Sequence, residues 1–226
     1  MRKTIMISTL RTTAIFIAWM GLIVVSGPLA MDQSDLDTLL TTKHCPKCDL
    51  SGADLSGTNL IGVNISGANL ENTIFIRTNL WRADLTGAIL TGADLTGANL
   101  RDSDLSRANL TRAVLIGANL KYAAASETLL REAALNRANL LQADLRNADL
   151  SDADLSGAYL AHANLEDSRV TRISLNNTNL NGANLQHLDL TDLDLTSANL
   201  RNAKIHGAMF CRTQTAWGQD DTSCRE

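Results

Sequence analysis

The sequence predicts an all-β solenoid, a rod of short stacked coils. Three observations carry this expectation. From Leu50 to Phe210 every fifth residue is apolar, 33 positions in one unbroken phase, and leucine fills 27 of them. Two places earlier the residue is usually alanine, as at Ala53, Ala93, Ala138 and Ala198, and the residue between is Asp or Asn in 22 of the 33 units. Aromatic residues make up only 4% of the 226 residues although 45% are hydrophobic, so the core must be built narrowly from leucine and alanine. A repeat this regular is read before any helix or strand.

The chain opens with a leader. Arg2, Lys3 and Arg11 are basic, no acidic residue precedes Asp32, and an apolar run covers Ala14 to Val25. That run is shorter than the ~20 residues needed to span a bilayer. Small residues follow at Ser26, Gly27 and Ala30, the layout of a secretory signal peptide over residues 1–30 with cleavage expected after Ala30. Pro28 sits where a small non-proline residue is usual, and an uncleaved anchor is the alternative. No cysteine lies near the cleavage region to support a lipoprotein anchor. The whole chain carries a formal charge of -4. The processed chain keeps 17 basic and 24 acidic residues, a charge of -7. That balance excludes a strongly basic nucleic-acid binder, and no membrane association is expected after processing.

Residues 31–47 form an N-terminal cap. Ser34-Asp35-Leu36-Asp37 resembles a capping box with Asp in place of Glu. Leu36, Leu39 and Leu40 follow at helical spacing. The pattern predicts a short amphipathic helix over 34–42 lying on the open end of the core.

Residues 48–212 carry the repeat Ala-(Asp/Asn)-Leu-x-x, plain at Ala93-Asp94-Leu95-Thr96-Gly97. A helix needs apolar recurrence near 3.6 residues and a strand near 2. Leucines five apart on a helix would be rotated by about 140° and would spiral around it. A chain that turns a corner every five residues fits. Leucine and the alanine two before it share one side of an extended segment, so both point inward. The Asp or Asn between them points outward. The two remaining positions favour Ser, Thr, Gly, Asn and Asp, as corners require. Lys121 to Glu127 is the weakest repeat, with Ala125 in the leucine position, and a local bulge or loosened corner, not an inserted helix, is expected there.

These units, Ala-Asp-Leu-Ser-Gly and Ala-Asp-Leu-Thr-Gly-Ala-Asn-Leu among them, resemble the pentapeptide repeat family. The resemblance implies a right-handed quadrilateral β-helix of about eight four-sided coils, roughly 40 Å long at ~4.8 Å per coil. It adds a short helical N-terminal cap and a disulfide-fastened C-terminal tail over 213–226. The cysteines at both ends also make the chain similar to exported members from cyanobacteria and other Gram-negative bacteria.

Four cysteines, Cys45, Cys48, Cys211 and Cys224, allow three pairings. With the implied rod, Cys48 and Cys211 lie ~40 Å apart, beyond the ~7 Å that a disulfide tolerates between Cα atoms. The expected bonds are Cys45–Cys48 and Cys211–Cys224, the second fastening Trp217 over the last coil. Export provides the oxidising compartment. Cys45-Pro46-Lys47-Cys48 also has the spacing of a redox motif. With His44 it offers three zinc ligands where structural zinc takes four. A buried structural pair is the expected role.

No catalytic, cofactor or metal site is expected. The Asp residues read as repeat filler. His44, His162, His187 and His206 make no constellation beyond His187 and His206 on one face of adjacent coils. Two surface features stand out on the implied coil. Asn59, Asn79, Asn99, Asn119, Asn139, Asn179 and Asn199 line one column with Tyr159, an expected amide ladder. Ile74, Ile76, Val114 and Ile116, with Ile89 and Leu129 on the adjoining face, suggest an apolar stripe for a protein partner or self-association. The expected function is therefore a non-enzymatic exported scaffold or interaction module in a periplasm or thylakoid lumen. The resemblance also implies an alternative, a DNA mimic that binds a DNA-handling enzyme such as gyrase.

Overall fold

The computed structural model describes residues 32–221 and residue 224. The leader at 1–30 and its cleavage after Ala30 lie outside the described residues.

The main chain closes on itself every 20 residues. Each side contributes one residue to a parallel bridge with the residue 20 positions later, from His44 with Asn64 through Asn99 with Asn119 to Asp194 with Gln214. Four five-residue units therefore make one coil. Within a unit the leucine N–H reaches forward to the next coil, as Leu95 does to Val114 O at 2.7 Å. The Asp or Asn N–H reaches back, as Asp94 does to Thr73 O at 3.0 Å. The polar backbone is thus satisfied without long strands. Leucines and alanines alike are sealed inside, Leu95 and Ala93 both at 0% exposure. Burying a leucine contributes about 1.5–3 kcal/mol, so this axial column is the main source of stability.

The outward Asp and Asn residues have a local task that composition alone did not show. The Asp94 Oδ1 accepts hydrogen bonds from Thr96 N (2.9 Å) and Thr96 Oγ1 (2.6 Å), and Asp54, Asp84 and Asp149 accept the backbone N–H two residues on in the same way. These are Asx turns that brace each corner. The second corner residue is left-handed, whether Gly52 (φ 68°) or any of seven arginines, Arg77 at φ 55° among them. Where threonine replaces the inward alanine beyond the first coil, its hydroxyl donates to the leucine carbonyl of the preceding coil. Thr73 does so to Leu50 O at 2.8 Å and Thr78 to Leu55 O at 2.7 Å. The polar atom is buried but paired. Thr58, in the first coil, donates to Leu55 O of its own coil.

Ala125 causes no bulge. It is 2% exposed, and its N–H donates to Asp144 O at 2.8 Å. The corner geometry belongs to the backbone ladder, so losing side-chain volume at one position leaves the phase intact.

Helix α1 spans Gln33–Thr42. Its cap is Asp32, not Ser34: Asp32 Oδ1 accepts from Ser34 N at 2.8 Å and Ser34 Oγ at 2.7 Å. The helix closes on Lys43, whose left-handed N–H donates to Leu39 O. Leu39 is buried and Leu36 packs against the core, while Leu40 is 52% exposed. Asp35 Oδ2 accepts from Asp49 N at 2.8 Å, tying α1 to the first coil. No helix among the described residues is long and apolar enough to cross a membrane.

At the other end β1 (Thr213–Thr215) pairs antiparallel with β2 (Gly218–Asp220). Thr213, Thr215 and Phe210 are buried, but Trp217 is 67% exposed. The expected Trp217 lid is not formed. Alternation turns 213 and 215 inward along β1, but β1 ends at Thr215, and Trp217 lies in the turn before Gly218, where alternation no longer carries it inward. Ile205 is 45% exposed, so this end of the column is closed less completely than its middle.

One seam interrupts the stack. Between the sides at 169–177 and those at 189–197, no bridge joins Arg169 to Asp189 or Ser174 to Asp194 among the described residues. Neighbouring coils are bonded on both sides of the seam, Leu150 N to Arg169 O at 2.8 Å before it and Leu190 N to Met209 O at 3.0 Å after it. Here Leu188 and Leu193 occupy inward positions that hold Ala148 and Ala153 two coils earlier. The added bulk spreads the coils. An apolar void of about 10 Å³ lies beside Val170, Ile173 and Leu188, and the buried Ser168 hydroxyl is left without a partner. Asn177 N donates to Ser197 Oγ instead of to a backbone carbonyl.

Candidate functional site

The cysteines, singled out from the sequence, lie at the two ends of the rod. Cys45 and Cys48 are bonded with Cα atoms 5.5 Å apart, and Cys211 and Cys224 with Cα atoms 4.6 Å apart. Cys45 is buried at the foot of α1, against the Asp35 carbonyl oxygen. Among the described residues, two groups bring metal-ligating atoms together: Asp35 with Cys45 and Cys48, and Glu166 with Asp167 and His187. In the first, both sulfurs are used by the disulfide. In the second, His187 Nδ1 lies 3.3 Å from Asp167 Oδ1, with both side chains about half exposed.

The apolar residues expected to form a stripe are separated by polar ones. Asp94 bridges both Ile74 and Val114, and Asn109 bridges both Ile89 and Leu129. Ile89, Ile116 and Leu129 are exposed, at 45%, 41% and 42%, while Ile74, Ile76 and Val114 are half-buried. The residues occur singly along their columns.

The asparagine column does form side-chain contacts. Asn99 Nδ2 donates to Asn79 Oδ1 at 2.9 Å, Asn119 to Asn99 at 3.2 Å and Asn199 to Asn179 at 3.4 Å. The flanking corners hold what sequence reasoning missed. They are residues 56–57 and 61–62 and their equivalents every 20 residues. On this face and its corners lie six basic residues, Arg77, Arg82, Arg101, Lys121, Arg137 and Arg201, and one acidic residue, Asp102. The rest of the chain beyond residue 31 has 11 basic and 23 acidic residues. The signal was present in the sequence and needed only the 20-residue register.

Pairing differs as well. Arginines elsewhere meet carboxylates: Arg107 with Glu127, Arg112 with Glu132, Arg172 with Asp152 and Arg212 with Asp192, all within 3.0 Å. Hydrogen bonds from these arginines hold the Glu127, Asp152 and Asp192 carboxyls below their ordinary pKa. On the asparagine face only Arg101 has a carboxylate within ion-pair distance among the described residues, Asp102 at 3.3 Å. The other cations rest on rings or on nothing charged. Arg82 lies over Trp81 at 4.6 Å, and Lys121 and Arg101 lie over Tyr122 at 4.8 and 5.4 Å. Trp81 Nε1 is fixed by Asp102 Oδ2 at 2.9 Å.

A family profile described as pentapeptide repeats matches eight times, in overlapping segments between residues 46 and 213. The chain belongs to the pentapeptide repeat family. Among solved structures it is similar to HetL, a pentapeptide repeat protein of the cyanobacterium Nostoc involved in heterocyst differentiation regulation. That match has 29% identity and a TM-score of 0.56 over 84% of this chain and 97% of HetL. It supports a pentapeptide repeat β-solenoid. A pentapeptide repeat protein of the Arabidopsis thaliana thylakoid lumen matches at 27% identity over 68% of this chain and 69% of its own, with a TM-score of 0.13. The fluoroquinolone resistance protein QnrB1 matches at 21% identity over 68% of this chain and 89% of its own, with a TM-score of 0.31. TM-scores this low do not extend the fold comparison. No curated protein sequence matches significantly. None of the matches indicates an enzyme family.

Proposed function

We propose that this pentapeptide repeat protein is an exported, non-enzymatic scaffold or interaction module that works in a periplasm or thylakoid lumen. The reading takes the rod as a right-handed quadrilateral β-helix of about eight coils, capped at one end and disulfide-fastened at the other. One observation carries it: both ends of an otherwise repetitive rod are closed by cysteine pairs, Cys45 with Cys48 and Cys211 with Cys224. Such bonds persist in oxidising compartments and are rare in the cytosol. The leader-like first 30 residues agree with that compartment. The side chains that vary between coils face outward, where a partner can read them. Ile89, Ile116 and Leu129 are the apolar points such a partner would meet.

Cell fractionation with N-terminal sequencing tests the compartment. A processed chain beginning near Met31 in an extracytoplasmic fraction is expected, and cytoplasmic protein retaining Met1 would contradict it. The DNA-mimic alternative asks for a continuous acidic field, and the six basic residues gathered on the asparagine face oppose it.

A further inference from the structure

We infer that the asparagine face is a docking surface for an anionic lipid headgroup layer, with the rod lying flat along it. This goes beyond the scaffold reading, departs from the sequence expectation that the processed chain has no membrane association, and does not depend on which compartment the protein occupies.

The first argument is charge. A face with six basic residues and one acidic residue, on a chain whose other residues beyond 31 number 11 basic and 23 acidic, is a local cationic field. Arg77, Arg82, Lys121, Arg137 and Arg201 have no carboxylate within ion-pair distance among the described residues, whereas six arginines elsewhere do. Their charge is left open to an anion outside the rod.

The second argument is shape and rim chemistry. The asparagine column supplies a row of amides repeated about every 4.8 Å. The corners beside it mix cations with apolar and aromatic tips. Ile61, Trp81 and Leu141 share one corner column with Arg101 and Lys121, and Tyr122 stands 40% exposed beside them. Ile76 and Ile116 stand on the opposite corner, next to Arg77. Trp, Tyr, Arg and Lys gathered on one plane is the composition favoured at membrane–water interfaces. Basic residues near an anionic leaflet are drawn to it by its surface potential.

A nucleic acid fits less well. Single strands are held by stacking bases on free aromatic faces, and here Trp81 and Tyr122 already carry guanidinium or ammonium groups on their rings. The amide row and apolar tips also suit a layered interface better than a charged polymer.

The test uses the chain beginning at Met31, since α1, the coils and both disulfides are built wholly from later residues. Its partition onto vesicles of phosphatidylcholine alone and of phosphatidylcholine with phosphatidylglycerol is measured by cosedimentation. Binding is expected only to the second, and high salt should reverse it. The triple variant Arg77→Gln, Lys121→Gln, Arg137→Gln should bind about 100-fold more weakly, at roughly fivefold per charge. It should fold normally, since Gln142 already occupies a left-handed corner equivalent to Arg77 and Arg137. The control Arg107→Gln, Arg172→Gln removes paired arginines from other corners and should change binding less than about twofold. Equal binding to both vesicles, no binding, or equal losses in the two variants would overturn the inference. So would retention on immobilised heparin without partition onto the anionic vesicles.

Discussion

The middle of the rod and its C-terminal seam are built from the same five-residue unit, yet they are bonded differently. Between Leu95 and Leu135 every unit but the one at Ala125 pairs a leucine with a small partner, and the ladder from coil to coil is unbroken. At 169–197 Leu188 and Leu193 stand where alanine is usual, and backbone bonds on two sides are lost. The middle is fixed by the distance between coils, which small inward residues keep short. Bulk alone is not enough: Val63 fills an inward alanine position and its carbonyl still accepts from Asp84 N at 2.8 Å. The hydrogen bonds are lost where Leu193 stacks on Ile173, two large residues in successive coils.

Substitutions can break this comparison, beginning with the largest effect. Leu115→Ala in the middle should cost about 3–4 kcal/mol, because rigidly paired coils cannot collapse onto the cavity. Leu193→Ala should cost about 2 kcal/mol or less, since removing bulk allows the coils to approach. Thermal or denaturant unfolding of the two variants checks the ordering, and equal losses would remove the distinction. Cys211→Ser opens a disulfide that spans 13 residues and should cost about 3 kcal/mol. The added disorder should lie in 205–221 and spare the middle, as proteolysis of the variant would show.

A smaller contrast lies in the Asx turns. Asp94 accepts from both the backbone N–H and the hydroxyl of Thr96, while Asp189 near the seam accepts only from Thr191 N at 3.0 Å. Asp94→Ala should therefore cost about 1 kcal/mol and Asp189→Ala about half of that.

Acid should weaken the rod. Hydrogen bonds from Ser56 and Thr196 hold the Asp54 and Asp194 carboxyls below their ordinary pKa, and Arg172 and Arg212 do the same for Asp152 and Asp192. A carboxyl depressed in the folded state stabilises fully above its unfolded value near 4, and that contribution disappears as pH falls through the folded value. A melting temperature that declines below about pH 4 is expected, against a flat profile from pH 5 to 8. Raising salt at neutral pH should change stability least, because the corner ion pairs are exposed.

Much of this was legible in the sequence, for identifiable reasons. The leucine phase and the inward alanines follow from side-chain alternation alone. Asp32 is hidden as the helix cap because Ser34, two residues later, offers a better-known motif. The Cys211–Cys224 loop suggests that Trp217 is fastened over the last coil, but the bond forms while the hairpin turn leaves Trp217 exposed. The implied four-unit coil already stacks residue 193 on 173, but a pattern of side-chain types does not say that Leu193 on Ile173 opens the backbone ladder. The basic face was open to the same register, but Arg77, Lys121 and Arg137 occupy corner positions, off the outward column between the corners that the sequence reading follows.

Amide hydrogen exchange tests the central claim most directly. The amides of Leu95, Leu115 and Asn119, bonded between coils at 2.7, 2.7 and 2.9 Å, should exchange only on global opening. Those of Val170, Leu175, Asp189 and Asp194, which have no inter-coil backbone bond among the described residues, should exchange orders of magnitude faster. Uniform protection along the whole rod would contradict the account.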